Sequence, residues 1–202
     1  MLMHVILDNG HGIETKGKRS PVLPDGSQLL EWKYTREIAR QVMKPLRSAG
    51  VDCFLLVPGE LDVSLKKRAQ MVNELATKFG SERTILVSIH CNAAGDGSKW
   101  MTARGWEAWT SIGETKADKL ADCFCDEAMR MGFKVRKDMS DGDPDKEDGL
   151  YILKHTLCPA VLTENFFMDN MEDCKFMLSE KGREAIAALH VRSITKYIED
   201  YA

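Results

Sequence analysis

Histidine and carboxylate side chains follow several apolar stretches of this sequence. His11 lies in the segment DNGHG, His90 lies in the segment SIHCN, and Glu164 follows the apolar run AVLT. Glu31 stands at the predicted start of the first long helix. Two imidazoles and one carboxylate can bind zinc and leave a fourth position open for water, as catalytic zinc sites do. A further carboxylate can take a proton from that water and pass it to a leaving amine.

The elements that would position these residues alternate along the chain. Apolar runs of strand length lie at residues 4–7, 51–57, 84–89, 105–110 and 160–163, and segments of helical periodicity lie at 31–49, 65–79, 114–131 and 180–201. Strands that are apolar almost throughout are typical of sheets covered on both faces. The alternation predicts the α/β fold class, with a single domain built on a mostly parallel twisted sheet flanked by helices on both faces.

This predicted sheet brings the four residues to one edge. Ligands of open parallel sheets bind outside the carboxyl ends of the strands, where His11, His90 and Glu164 are expected, and Glu31 opens the helix at the same edge. Each residue also has an ordinary interpretation: a loop histidine, a core histidine, a first-turn carboxylate, or a strand-end carboxylate paired with lysine. Because four unrelated residues rarely arrive at one edge, their joint placement favours a metal site.

Length and charge restrict the classes of protein that remain. The chain has 202 residues, with 28 Lys and Arg against 31 Asp and Glu, and a net charge of -3. This balance argues against nucleic acid as a partner, since such binding depends on many basic contacts to phosphate. The sequence contains no apolar run close to the roughly 20 residues that cross a bilayer, so we expect no transmembrane segment. We expect a monomer.

The cysteines and one further histidine are better explained by packing than by chemistry. The six cysteines form no C-x-x-C pair, so we expect buried free thiols. Cys91 should point away from the neighbouring His90, because adjacent strand residues face opposite sides of a sheet. His190 shares the apolar face of the last helix and is predicted to be a core histidine.

An acidic segment at residues 137–149 resembles a metal-binding loop only in part. Asp141, Asp143 and Asp145 alternate as in a calcium loop, but Lys146 stands where that loop requires glycine. The segment is therefore predicted to be a solvated loop at the edge of the groove.

Four motifs, taken in order, resemble a known family. GHG at 10–12, EW at 31–32, SIHCNA at 88–93 and PAVLTE at 159–164 are similar to motifs of the zinc-dependent N-acetylmuramoyl-L-alanine amidases of the Amidase_3 type. Lesser agreements are RGWE at 104–107 and SL at 64–65 with Arg68. The resemblance covers essentially the whole chain, although Ile13 and the residues NFF at 165–167 depart from the usual pattern.

The resemblance implies a role for each residue of the predicted site. His11, Glu31 and His90 are implied as the ligands of one zinc ion. Glu164 is implied as the catalytic carboxylate that works with the water on the metal, and Asn92 as a residue that contacts substrate. The implied reaction hydrolyses the amide between N-acetylmuramic acid and L-alanine in peptidoglycan, so the expected partner is peptidoglycan or a muropeptide. Residues 1–202 would then form a single zinc amidase catalytic domain.

Two other interpretations of these residues stay open. A zinc peptidase or amidase acting on a different amide would use the same ligands, and a catalytically silent wall-binding module would keep the fold. Retention of all four site residues, Glu164 included, argues against the silent module.

The N-terminal residues MLMHVIL carry neither a basic leader nor a small-residue cleavage site, which argues against a signal peptide. We therefore expect cytoplasmic synthesis and action on the cell wall after lysis or release, as for a phage endolysin. Removal of a leader, as for a bacterial autolysin, is the alternative.

Overall fold

A six-stranded sheet runs through the centre of the described part of the chain, residues 3–140 and 142–201 of a computed structural model. The strands are β1 (His4–Asn9), β2 (Asp52–Leu55), β3 (Thr84–Asn92), β4 (Glu107–Thr110), β5 (Lys146–Glu147) and β6 (Ala160–Phe167). Their order across the sheet is β2-β1-β3-β6-β4-β5. The pairs β1–β2, β1–β3, β3–β6 and β4–β5 are parallel, and β4 is antiparallel to β6. The prediction of a mostly parallel sheet is confirmed.

Helices cover both faces of this sheet, as predicted. They are α1 (Glu31–Ser48), α2 (Leu65–Phe79), α3 (Lys116–Arg130), α4 (Tyr151–Lys154), α5 (Met171–Leu178) and α6 (Glu180–Tyr201), with a 3₁₀ turn at Ser81–Arg83. On one face α1, α3, α5 and α6 bury strand residues such as Val5 and Val87. On the other face α2 and α4 bury residues such as Leu86 and Leu162.

The pleat of β3 and β6 decides which polar residues share a face. Successive strand residues point to opposite sides, so His90 and Glu164 lie on the α2 and α4 face, in line with Leu86 and Leu162. Cys91 packs in the core on the opposite face, as predicted. The polar residues of the site therefore replace apolar core residues at the ends of two central strands.

Several element boundaries differ from the predictions. β3 and β6 continue to Asn92 and Phe167, beyond the apolar runs that end at residues 89 and 163, because their pairing continues through polar positions with one irregularity after His90. Three short elements were not predicted: β5, α4 and α5, which have 2, 4 and 8 residues. Elements this short carry too few residues to display a period.

The acidic segment is more ordered than a solvated loop. Asp145 is buried and accepts a hydrogen bond of 2.6 Å from the Thr110 hydroxyl, and Lys146–Glu147 forms the edge strand β5. The prediction of a solvated loop is therefore wrong for this half of the segment, since pairing with β4 draws it onto the sheet. Asp141 lies outside the described residues.

Other expectations about the core are confirmed. All six cysteines are buried free thiols. His190 is buried on α6 and its ring packs edge-on against Phe124, as predicted for a core histidine. Within residues 3–140 and 142–201, the structure contains no helix with the length and apolar character that a membrane crossing requires.

Candidate metal centre

The carboxyl ends of β1, β3 and β6 place three of the predicted residues at one edge of the sheet. His11 lies in the loop directly after β1, and His90 lies near the end of β3. Glu164 on β6 is the register partner of His90, so their side chains project from the same face. Glu31 is the first residue of α1, whose start is held at this edge by a hydrogen bond of 3.1 Å from its amide to the Lys18 carbonyl.

Glu31 lies between the two histidines. Its Oε1 is 3.2 Å from His90 Nδ1, and its Oε2 is 3.4 Å from His11 Nε2. The two imidazole rings are 5.1 Å apart between centroids and nearly perpendicular. One ligand atom from each of the three residues lies within 4.8 Å of the others. The structure thus brings together the three residues that the sequence predicts as metal ligands.

The ionisation of this cluster suits a cation. Burial lowers the pKa of His11 to about 4, which leaves its ring neutral with a free lone pair. Burial raises the pKa of Glu31, but the hydrogen bond and charge of His90 lower it by more, so the carboxylate is ionised. The pairing with Glu31 also raises the pKa of His90, against the effect of burial. A positive charge beside Glu31 is therefore stabilised.

The polar atoms of the cluster also fit a metal ion. Oε2 of Glu31 is buried and makes no hydrogen bond to any described residue. Leaving such an oxygen without a partner is costly, and a cation bound between the rings would satisfy it. Imidazole nitrogen and carboxylate oxygen are ligands that zinc accepts. The donor set fits one zinc ion.

Glu164 differs from Glu31 in its protonation. Burial raises its pKa to about 8, against the lowering effect of the nearby His90 charge. Its Oε2 is buried and has no hydrogen-bond partner among the described residues. In the metal-free protein this carboxyl group is therefore mostly protonated at neutral pH, whereas the carboxyl group of Glu31 is ionised.

The glycines on either side of His11 allow this close packing. A Cβ at Gly10 would lie 2.3 Å from Cε1 of the His90 ring, and a Cβ at Gly12 would lie 2.0 Å from the Asp62 nitrogen. His11 itself has a φ of 61°, in the left-handed region. From the sequence, these glycines were recognised only as part of the GHG motif, and their role in packing was not predicted. The signal was two glycines flanking a histidine at the end of a strand.

A buried guanidinium fixes the loop that carries His11. Arg68 donates to the carbonyl of Asn9 at 2.8 Å and pairs with Asp8 and, at 2.8 Å, with Asp62. Its Nη2 also lies 3.4 Å from the His11 carbonyl. From the sequence, Arg68 appeared only as a lesser motif agreement, because its partner Asp8 is 60 residues away.

Asn92 contacts protein groups rather than open space. Its Nδ2 donates to Glu107 at 2.9 Å, and its Oδ1 accepts from the Ala93 amide at 2.8 Å. Glu107 is buried, is the register partner of Glu164, and is also paired with Lys146 at 3.2 Å. The predicted contact of Asn92 with substrate stays a prediction. Glu107, which joins Asn92 and Lys146, was not predicted from the sequence as the centre of these contacts.

A cavity of about 460 Å³ opens beside the cluster. Its walls come from the loop after β1, the start of α2, the ends of β3 and β6, and α4; they include His11, Lys18, Arg68, His90, Tyr151 and Glu164. The cavity gives a ligand access to both imidazoles and to the protonated carboxyl group.

The sheet and the cluster define an α/β protein with a candidate metal centre at the carboxyl edge of its sheet. The chain belongs to the Amidase_3 family, because the profile of that family, described as N-acetylmuramoyl-L-alanine amidase, matches residues 5–196. The resemblance inferred from the motifs is confirmed.

Relatives of known description extend over most of this chain. It is 26% identical over 199 residues to the endolysin of Bacillus phage SPP1 and covers 65% of that protein, which in turn matches 96% of this chain. The chain is also 25% identical over 197 residues to the N-acetylmuramoyl-L-alanine amidase LytC of Bacillus subtilis strain 168. This match includes 96% of the chain and 35% of LytC. The chain thus spans less than two thirds of either relative.

Solved structures of amidases share the fold. The N-acetylmuramoyl-L-alanine amidase of Clostridium difficile 630 superposes with a TM-score of 0.80 at 22% identity, covering 100% of this chain and 99% of that one. The catalytic domain of the CD27L endolysin superposes with a TM-score of 0.65 at 23% identity, covering 96% and 97%. At these identities the superpositions establish the fold alone.

Proposed function

We propose that the protein is a zinc-dependent N-acetylmuramoyl-L-alanine amidase, which hydrolyses the amide between N-acetylmuramic acid and L-alanine in peptidoglycan. The observation that carries the proposal is the cluster of His11, Glu31 and His90, with the carboxyl group of Glu164 in the same cavity. Family membership and the names of the relatives support the substrate. Residues 1–202 act as one catalytic domain.

In this proposal His11, Glu31 and His90 hold one zinc ion. Zinc, when bound, polarises the scissile carbonyl and lowers the pKa of water to about 7. His11 contributes because burial keeps its ring neutral. Glu31 contributes an ionised carboxylate that is already oriented by the Cys91 amide, which donates to its Oε1 at 3.0 Å. His11 and Glu31 thus supply ligands in the protonation state that metal binding requires, and His90, whose pKa is raised by Glu31, gives up its proton when a metal binds.

Glu164 moves the proton in this reaction. Hydrolysis forms a C–O bond from water to the lactyl carbonyl carbon and breaks the C–N bond. The water gives up both of its protons and the alanine nitrogen gains two, which leaves a lactyl carboxylate and an alanine ammonium group. An amine leaves poorly unless its nitrogen is protonated during the step. The carboxyl group of Glu164 lies beside the ligand cluster and outside it, where in its protonated form it can give a proton to this nitrogen and then take one from the water.

The proposed substrate is the cell wall or a soluble muropeptide, and the proposed site of action is the wall. Digestion of purified peptidoglycan followed by mass spectrometry of the products tests the proposal. We expect peptides with a free N-terminal alanine beside intact muramic acid. A cut within the stem peptide would instead assign the site to a zinc peptidase, and undigested peptidoglycan would contradict the proposed function.

A further inference from the structure

Two cationic side chains line the cavity, and they differ in their partners. Arg68 is fully engaged by the carboxylates of Asp8 and Asp62 and by backbone carbonyls. Lys18 is exposed, and its ammonium makes no ion pair or hydrogen bond with any group in residues 3–140 and 142–201. The cavity therefore contains one cation that is neutralised by the protein and one that is available to a ligand.

The backbone holds Lys18 at a fixed place beside the metal ligands. Its carbonyl accepts the Glu31 amide at 3.1 Å, and the next residue, Arg19, forms a β-bridge with Leu30. On the other side the loop packs so closely that a Cβ at Gly97 would lie 2.4 Å from the Arg19 carbonyl oxygen. Lys18 is thus anchored to the first residue of α1 and does not lie on a loose loop.

The charge of Lys18 reaches the reacting groups. Burial is the main cause of the low pKa of His11, and the Lys18 charge lowers it further. Burial raises the pKa of Glu164, and the Lys18 charge opposes that rise. Both effects agree with the position of Lys18 in the wall that also contains His11 and Glu164.

The chemistry of the proposed substrate indicates which part of it meets this cation. The glycan chain of N-acetylated sugars is uncharged, and the lactyl carboxyl group is consumed in the scissile amide. The negative charges of the substrate therefore lie on the stem peptide. In many walls its second residue is a glutamate linked through its side chain, whose free α-carboxylate is close to the scissile bond, and in others this group is a carboxamide.

We propose that Lys18 is a specificity-determining residue that binds a carboxylate of the stem peptide and so favours substrates with a free carboxylate over their amidated counterparts. The inference rests on the proposed amidase function. An ammonium is a compact point charge that suits one carboxylate, and an ion pair made by an exposed side chain changes affinity by up to about fivefold.

The test uses two muramoyl tripeptides that differ only in the α-carboxylate or α-carboxamide of the second residue. For the zinc-loaded wild type we expect kcat/KM to be about three- to fivefold higher on the carboxylate substrate, mainly through a lower KM. For Lys18→Ala we expect this ratio to fall to about one, and for Lys18→Arg we expect most of it to return. Lys16→Ala, an exposed lysine of the same loop outside the cavity wall, is the matched control and should keep the wild-type ratio.

The outcomes separate the two proposals. Equal kcat/KM of the wild type for cleavage of the lactyl–alanine bond in both substrates would show that Lys18 does not bind the carboxylate. A wild-type ratio in Lys18→Ala would show the same. Either result overturns the inference, while the amidase function stands. If the wild type cuts neither substrate at that bond, the proposed function fails, and the inference that rests on it fails with it.

Discussion

At the scale of single residues, Glu164 and Glu31 show how two carboxyl groups at one strand edge acquire different roles. Glu31 is ionised because it pairs with His90, whereas burial without a hydrogen-bond partner among the described residues raises the pKa of Glu164 to about 8. One group suits metal binding and the other suits proton transfer. Protein environment rather than residue type makes this difference.

Replacement of Glu164 by glutamine tests the proton-transfer role. We expect Glu164→Gln to lower kcat by about 10²- to 10⁴-fold, the usual contribution of general acid–base catalysis. Zinc content should stay at the wild-type level, because Glu164 lies outside the ligand cluster. Rates on a muropeptide and zinc per chain are measured, with the exposed Glu199→Gln as control. Activity near that of the wild type would remove Glu164 from the mechanism.

Gly10 provides a second residue-scale prediction. The added methyl group in Gly10→Ala would lie 2.3 Å from the His90 ring and must displace it. We expect zinc affinity, measured by competition with a chromogenic chelator, to fall at least tenfold, as it does when ligand orientation is lost. Gly59→Ala is the matched control, since a Cβ there meets no atom within 4 Å. Equal zinc affinities for the two variants would contradict the packing account.

At the scale of elements, His190 joins α6 to β6. Its Nδ1 donates to the Ile186 carbonyl at 2.8 Å, which leaves Nε2 to accept from the Thr163 hydroxyl at 2.9 Å. Burial lowers the pKa of this ring to about 4, so the folded protein holds it neutral. The unfolded chain, with a histidine pKa near 6.5, takes up the proton first as the pH falls.

This shift predicts a pH dependence of stability. The contribution of His190 is fully present above about pH 6.5 and declines as the pH falls towards 4, by up to about 3 kcal/mol in the free energy of unfolding. The stability advantage of the metal-free wild type over His190→Gln should therefore shrink between pH 7 and pH 4.5 in urea denaturation. An advantage that stays constant over this range would show that the ring does not titrate as described.

The long helices were predictable because their apolar residues repeat with helical spacing over several turns. Repeated apolar positions indicated α1, α2, α3 and α6 within two residues of their observed ends, because each helix has at least 15 residues. The ends of β3 and β6 were not predictable, because polar residues of the site interrupt the apolar pattern while strand pairing continues. β5 forms only because Thr110 and Trp109 offer an edge to pair with.

At the scale of the whole molecule, the sequence predicted which metal-ligating residues come together. It could not predict the contacts that fix the loop carrying His11. Parallel topology alone brings His11, His90 and Glu164 to one edge. The pairing of Arg68 with Asp8 joins residues 60 apart. Such charge pairs depend on the distance between elements after folding, which no local pattern encodes.

The arrangement of the two faces explains why the site lies where it does. The larger helical layer, with α1, α3, α5 and α6, seals one side of the sheet, while α2 and the short α4 cover the other and leave a cavity at its carboxyl edge. α1 belongs to the first layer but begins at that edge, so Glu31 can meet ligands that project from the second face. A metal centre between the two layers follows from this geometry.

Anomalous diffraction from crystals of the zinc-loaded protein, recorded above and below the zinc absorption edge, tests this centre most directly. We predict one strong peak among His11, Glu31 and His90, at about 2.0–2.1 Å from the two imidazole nitrogens, and its loss in crystals of His11→Ala. A fully occupied peak elsewhere, or a wild-type map without a peak among these three side chains, would contradict the account.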